Sequence, residues 1–350
     1  METNNATNFV PNQELNPVMD NTNYFAPNLA QNNAPQSIPI LSTHNITKRY
    51  GTINAVDSVN LSVQKGDIYG LVGLNGSGKT TLIRLITSLI KPTSGNIRLF
   101  GKDGNNPEHL TRISSMIEKP AIYTNLSAID NLEAQCAIVG LTGASKIDAK
   151  KRLLQLVGLD GVGKKPSKDF SLGMKQRLGI AMALVGDPEF MLLDEPTNGL
   201  DPAGIGQMRE LLLKVNKEQG ITILICSHIL VELAKMASRY GFIHRGKLIH
   251  ETSAEDLTKA CQMRTRLEIS NADAAIAAFS ANNIVASPTK LYNTIELTEN
   301  LPVSQIYSIL SPKNIEILRM QSSGGDLESY FTNLIYKYDA ACSNVGGHIR

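Results

Sequence analysis

The sequence predicts an α/β fold with a parallel core sheet, and three observations predict it. An apolar strand-like stretch stands at Ile68–Val72, and the short continuous apolar runs Phe190–Leu193 and Ile221–Cys226 have the pattern of strands buried on both faces. Between residues 176 and 251 strand-like and helix-like stretches alternate, as a parallel sheet requires. The Ile68–Val72 stretch leads into Gly73-Leu74-Asn75-Gly76-Ser77-Gly78-Lys79-Thr80-Thr81, a match to G-x-x-x-x-G-K-[ST], and helix-like Leu82–Ile86 follows.

Taken in order, residues 1–40 are Asn-rich, dotted with Pro and free of Lys and Arg. Such a stretch buries too little apolar surface to order itself, so residues 1–41 read as a disordered tail, or as a tether for a partner. A folded unit is expected from near Ser42, with residues 45–72 as antiparallel strands and 96–117 as two more.

At 73–81 the glycines let the backbone curl until several N–H groups point at one anion. The following helix adds its positive dipole end, Lys79 a full charge, and Thr80 a hydroxyl able to ligate Mg²⁺. A Gly-rich surface turn is the plain alternative, but strand before and helix after favour a phosphate-binding loop, and hence a nucleoside triphosphate. Gly158-Leu-Asp-Gly-Val-Gly163-Lys164-Lys165 nearly repeats the motif. It lacks the Ser/Thr and follows a helical stretch, so the chain holds one such cassette.

Residues 119–175 are richer in helical pattern, at Leu126–Val139 and Lys146–Val157. Phe170-Ser171-Leu172-Gly173-Met174-Lys175-Gln176-Arg177 then opens another helix with Ser171 as N-cap. By itself it is either a capped core helix or an anion-binding helix start. The run Phe190–Leu193 ends in Asp194 and Glu195. An acid at the end of a strand in a phosphate-loop fold holds Mg²⁺ through its waters, and a second acid beside it is placed to polarise a water. Asn198-Gly-Leu200-Asp201-Pro202 follows, then the second buried strand and Ser227-His228. A lone His is more often structural, but this one stands just past a strand expected beside the acid-bearing one. A hairpin is expected to turn at Gly246. From about 264 a smaller β-α-β-α-β-α pattern runs to Tyr338.

Composition narrows the function. A net charge of +2 gives no electrostatic case for nucleic acid. Cys136, Cys226, Cys261 and Cys342 lack C-x-x-C spacing and suit a reducing compartment. No run approaches the roughly 18 apolar residues that span a bilayer, and no signal peptide is visible.

In order and spacing these motifs resemble the nucleotide-binding subunits of ATP-binding cassette (ABC) transporters, over roughly residues 43–260. The resemblance implies a P-loop ATPase with antiparallel β, helical (119–175) and core parts in residues 42–260, and a small α/β appendage in 261–350. It makes Gly73–Thr80 Walker A, with Thr81 beside it, and Asp194 and Glu195 the Walker B acid and catalytic base. Ser171 and Gly173 become the signature groups, Asp201 the D-loop and His228 the switch histidine. Tyr50 becomes the adenine-stacking aromatic and Glu118 the Q-loop residue, a further ligand for Mg²⁺. ATP and Mg²⁺ are the implied cofactors, and the implied partners are a second ATPase subunit, in a homodimer or pseudo-dimer, and a separate membrane permease. The implied location is the cytoplasmic face of the membrane.

Two positions depart from the common pattern. The signature reads Phe170-Ser171-Leu172-Gly173-Met174 rather than Leu-Ser-Gly-Gly-Gln, and Glu118 replaces glutamine. Both forms resemble the bacitracin-resistance and lantibiotic-immunity exporters, the glutamate the lantibiotic branch in particular. Another cargo (bacitracin, sodium, a lipid) stays open, as does a soluble cassette ATPase. Against the latter, about 115 residues from Lys79 to Asp194 leave no room for a repair ATPase's coiled-coil insertion.

Overall fold

The computed structural model describes residues 38–345, except 105, 262–263, 290, 299–300 and 324–326. Of the tail expected over residues 1–41, residues 1–37 lie outside the described residues; the expectation fails at its end, where Ile40 is buried and bonded to the Val63 carbonyl and Leu41 opens the first strand. An antiparallel sheet comes first: β1 (Leu41–Tyr50), β2 (Ile53–Val59) and β3 (Ser62–Val63). The chain then crosses into the core through β4 (Ile68–Val72), the phosphate-loop segment and α1 (Lys79–Ile86). It returns to the first sheet with β5 (Ser94–Leu99) and β6 (Lys102–Asp103), and passes through α2 (Pro107–Leu110) to β7 (Ile113–Met116).

The expectation of antiparallel strands over 45–72 and 96–117 therefore needs correction at two places. β4 and β7 belong to the parallel core sheet, not the antiparallel one. A short apolar strand has the same period in either sheet, and its partners decide the direction.

The helices α3 (Ala128–Val139) and α4 (Gly143–Leu156) follow, then α5 (Leu172–Ala183), β8 (Phe190–Asp194), α6 (Pro202–Gln219), β9 (Thr222–Ser227) and α7 (Leu230–Leu233). The hairpin β10 (Arg239–His244) and β11 (Lys247–Ser253) turns at Arg245-Gly246, both at positive φ. The core sheet runs β11-β10-β4-β9-β8-β7, with β10, β4, β9, β8 and β7 parallel.

Alternation along these strands explains the unbroken apolar runs. Ile68, Val72, Met191, Leu193, Ile223 and Ile225 join the apolar cluster on one side of the sheet. Tyr69, Leu71, Phe190, Leu192, Leu224 and Cys226 join a second cluster, with α1 and the antiparallel sheet. Both faces are covered, so the runs are apolar but for Thr222, whose Oγ1 accepts from the Gly66 N–H at 2.9 Å.

After α8 (Ala254–Cys261) comes a third sheet with its own core: β12 (Arg264–Ile269), α9 (Ala272–Ser280), β13 (Ala286–Pro288), β14 (Thr294–Leu297), α10 (Val303–Leu310) and β15 (Ile317–Ser323). The order β13-β14-β12-β15, all antiparallel, makes a split β-α-β unit. The sequence pattern lacked β13, a three-residue edge strand ending in Pro288.

The final helix, α11 (Leu327–Val345), leaves that unit. Its Leu327, Tyr330, Phe331, Leu334, Ile335 and Tyr338 recur at helical spacing and pack on the cassette's main core. The segment expected as one appendage thus divides into a small domain and a helix that returns to the cassette.

Candidate functional site

The parallel strands place the chemistry. In an open α/β sheet, ligands bind beyond the carboxyl ends of the strands. The phosphate-loop segment leaves β4, His228 follows β9, Asp194 and Glu195 end β8, and Glu118 follows β7. The order β4-β9-β8-β7 sets those four ends side by side, with Val72 opposite Ser227 and Asp194 opposite Cys226.

The loop is clamped by its neighbours. The Gly73 N–H donates to the Ser227 carbonyl at 3.3 Å, and the Gly246 N–H donates to the Ser77 carbonyl at 2.9 Å. A Cβ on Gly73 would stand 2.4 Å from Ser77 Oγ and 2.6 Å from the Ile243 carbonyl. Gly78 has φ +110 and would put a Cβ 2.4 Å from the Ala55 carbonyl. Gly73 is therefore required by contact, and Gly78 by contact and conformation. Leu74, Asn75 and Gly76 form the exposed tip, and Ser77 is buried below it.

Lys79 is 6% exposed and arches back over the loop, donating to the Gly73 carbonyl at 2.7 Å and the Leu74 carbonyl at 3.3 Å. Its Nζ also lies 3.5 Å from Glu195 Oε1. Thr80 Oγ1 donates to Asp194 Oδ2 at 2.6 Å, and Thr81 continues the first turn of α1. The other Asp194 oxygen, Oδ1, is buried without a hydrogen-bond partner. Burial pushes the Asp194 carboxyl above its ordinary range against the pull of the Thr80 bond, and the Glu195 charge adds to the rise.

Glu195 has φ +51, a conformation that side chains other than glycine rarely adopt. Its N–H donates to the Cys226 carbonyl at 2.9 Å, and its Oε2 lies 2.8 Å from His228 Nδ1. Lys79, Thr80, Asp194, Glu195 and His228, far apart in sequence, thus form one cluster.

The remaining candidates stand elsewhere on the chain. Ser171 caps α5 by accepting from the Met174 N–H at 3.2 Å, and Asp201 caps α6 by accepting from the Gly204 N–H at 3.1 Å. These two helix starts are neighbours, since a Cβ on Gly173 would lie 3.7 Å from Leu200 Cδ2. Tyr50 is exposed at the end of β1 with Lys48 Nζ 5.2 Å from its ring centre. Glu118, at φ +62, pairs with Arg84 of α1 at 2.6 Å. Its charge reaches Asp194, adding a smaller upward push to that carboxyl.

The near-repeat at Gly158–Lys165 follows α4 and contains a short 3₁₀ turn at Asp160–Val162. It is no strand–loop–helix unit.

Two residues escaped the sequence reading. Thr197, in the turn after Glu195, donates to Glu232 of α7 at 2.5 Å, and so joins that turn to the helix following His228. Spacing carries no signal for such a pair, because its partners lie 35 positions apart. Arg84, the partner of Glu118, looked like any helix-surface cation.

The profile of the ABC transporter family matches residues 56–198. The bacitracin transport ATP-binding protein BcrA of Bacillus licheniformis is 41% identical over 300 residues, covering 85% of this chain and 97% of that one. The lantibiotic transport ATP-binding protein SrtF of Streptococcus pyogenes is 43% identical over 212 residues, 61% of this chain and 90% of that one. Among solved structures, CbiO1 of Clostridium perfringens, part of an ABC transporter complex, aligns with a TM-score of 0.59 and 26% identity over 63% of this chain and 91% of that one. A dimeric post-hydrolysis structure of the cassette MJ0796, bound to ADP and phosphate, aligns with a TM-score of 0.55 and 26% identity over 61% of this chain and 98% of that one. The chain belongs to the ABC transporter family, as an ATP-binding, ATP-hydrolysing subunit.

Proposed function

We propose that this subunit energises the export of an antimicrobial peptide, a lantibiotic or a bacitracin-type compound, and so protects the cell that makes or meets it. The observation that carries the cargo class is the extent of likeness to the bacitracin transport protein. A 300-residue match must run past the cassette into the segment after residue 261, which a generic cassette would not share. Glu118 in place of glutamine supports the lantibiotic branch of the same class.

The ATPase unit in this reading is residues 42–260 with α11 packed against it, and residues 119–175 face a separate membrane permease. No helix among the described residues is long and apolar enough to cross a membrane, which suits a peripheral subunit on the cytoplasmic face. Two copies would sandwich two ATP molecules. Each nucleotide would lie on one copy's Gly73–Thr81 loop and against the other's Ser171 and Gly173, with Asp201 at the seam and Tyr50 stacked on adenine. ATP that binds the closed pair better than the open one shifts the population and moves the permease.

Mg²⁺ fits the residues present. It favours hard oxygen ligands, takes one or two carboxylates plus substrate phosphates, and keeps several waters. Thr80 Oγ1 and the unpartnered, buried Asp194 Oδ1 supply such oxygens, with Glu118 as a further candidate. Bound there, the ion would neutralise charge on the β- and γ-phosphates. Lys79 binds the same phosphates. Glu195 accepts the proton of the attacking water, while His228 against its Oε2 fixes the carboxylate's direction and reaches the γ-phosphate.

The test is a strain lacking this subunit, complemented with the wild-type chain or Lys79→Ala and challenged with bacitracin and with a lantibiotic. Wild-type complementation should restore tolerance to one of the two, and Lys79→Ala to neither. Equal sensitivity of the null and complemented strains to both peptides would remove the cargo assignment.

A further inference from the structure

We propose that Asp339, on the C-terminal helix, is a positioning residue for the phosphate loop. This rests on the reading of Gly73–Thr81 as the ATP-binding loop. Asp339 Oδ1 lies 3.2 Å from His244 Nε2 and 3.2 Å from Arg245 Nη1, so one carboxylate holds the last residue of β10 and the first of the turn. The next residue is Gly246, whose N–H donates to the Ser77 carbonyl inside the loop at 2.9 Å. The Gly246 carbonyl accepts from the Asp57 N–H of β2 at 2.8 Å, and Lys247 pairs with the Asp57 carboxylate at 3.4 Å. One residue before His244, the Ile243 carbonyl closes the space beside Gly73. The turn is thus held between the loop on one side and Asp339 on the other.

Three features separate this from ordinary helix packing. The apolar stripe of α11 already anchors it, with Tyr330 and Phe331 rings 5.9 and 5.7 Å from Phe242, so Asp339 is not needed to dock the helix. Asp339 instead reaches the end of the strand, beyond that stripe. Tyr338 meets His244 edge-on at 6.1 Å, which fixes the imidazole that Asp339 contacts. Finally, the linkage leads to a backbone carbonyl inside the loop whose N–H groups would hold the phosphates, and such hydrogen bonds weaken steeply as their angle departs from alignment.

The effect is on nucleotide affinity, because Ser77 belongs to the cradle and not to the Glu195–His228 pair. Full-length Asp339→Ala should raise the Kd for a fluorescent ATP analogue and the KM for ATP by about three- to tenfold, the worth of about one hydrogen bond to the phosphates, with kcat within about twofold. Asp339→Glu, which keeps the charge, should recover most of the affinity. A drop in thermal stability with Kd and KM at wild-type values would leave Asp339 as helix packing alone and overturn the proposal. Should Asp339→Ala not fold, Asp339→Asn takes its place, and unchanged affinity in it overturns the proposal equally. Lys79→Ala is measured alongside. If it binds nucleotide normally, the loop assignment falls and this inference falls with it. If it loses binding while the Asp339 variants do not, only this inference falls.

Discussion

Glu195 and His228 meet at 2.8 Å, the histidine's Nδ1 against one carboxylate oxygen, while the other oxygen lies 3.5 Å from Lys79 Nζ. The carboxylate is therefore held at both ends, on a backbone at φ +51. A side chain fixed in this way points in one direction, which a general base requires. It also means that the loop, the acid strand and the histidine strand respond to one another.

Lys79→Ala should weaken ATP binding at least about tenfold, because the loop loses its fixed charge against the phosphates. Titration with a fluorescent ATP analogue measures it. Unchanged affinity would place the nucleotide elsewhere.

Glu195→Gln should keep nucleotide binding and lower turnover about a hundredfold or more, since an amide cannot take the water's proton. ATP trapped by the slow site should then hold two chains together in gel filtration. Wild-type hydrolysis, or a monomer in the presence of ATP, contradicts the role.

Ser171→Arg should abolish hydrolysis while the isolated chain still binds ATP, because in the proposed sandwich Ser171 acts on the partner's nucleotide. Mixing it with an excess of Lys79→Ala chains creates dimers with one intact site and one doubly damaged site. Partial recovery of ATPase activity is expected, and none at any mixing ratio counts against action in trans.

Glu118, the proposed Q-loop residue, has a pairing that its sequence position does not announce. Glu118 meets Arg84 on α1, so coupling between the nucleotide loop's helix and the helical part has a charge to work through. Glu118→Gln should keep substantial ATPase activity. Glu118→Ala should impair peptide tolerance more than ATP affinity, as read by parallel resistance and ATPase assays. Full tolerance in the Ala variant refutes coupling through this residue.

Glu251, which accepts a 2.5 Å bond from the Tyr69 hydroxyl, carries a pH prediction. Burial raises its carboxyl above the usual 4.5, outweighing the lowering from the Tyr69 bond and Arg239. A raised folded value means that the stabilising contribution is complete below the unfolded value and is lost as pH climbs through the folded one. Glu251→Gln removes that loss. Its Tm relative to wild type should rise as pH increases from about 4 toward neutrality. A Tm difference independent of pH would contradict the assignment.

What the sequence made legible follows from how narrowly chemistry constrains each part. The loop at 73–81 can be read because close contact at Gly73 and Gly78 and charge at Lys79 admit few residue types. Asp194 and Glu195 are legible because acids rarely end an apolar strand. The direction of β4 and β7 was not legible, since parallel and antiparallel partners leave the same local period. Nor was the docking of α11: an amphipathic stripe announces a buried face without naming what buries it. The Thr197–Glu232 and Asp339–His244 contacts depend on that tertiary placement, and no local pattern precedes them.

The return of α11 also has a consequence for biosynthesis. Domains fold as units with the N-terminal part first, so β10, β11 and every nucleotide motif leave the ribosome well before the helix that covers Phe242. Until then the nascent cassette carries an uncovered aromatic face, the kind of surface that chaperones shield and proteases sample. A frameshift or stop codon ahead of Leu327 would spare Gly73–Thr81, Asp194, Glu195 and His228 in the reading frame. The product would nonetheless be a cassette with that face open to water. Gene copies truncated there should be judged by whether the product stays soluble and folded, and not by their motifs alone.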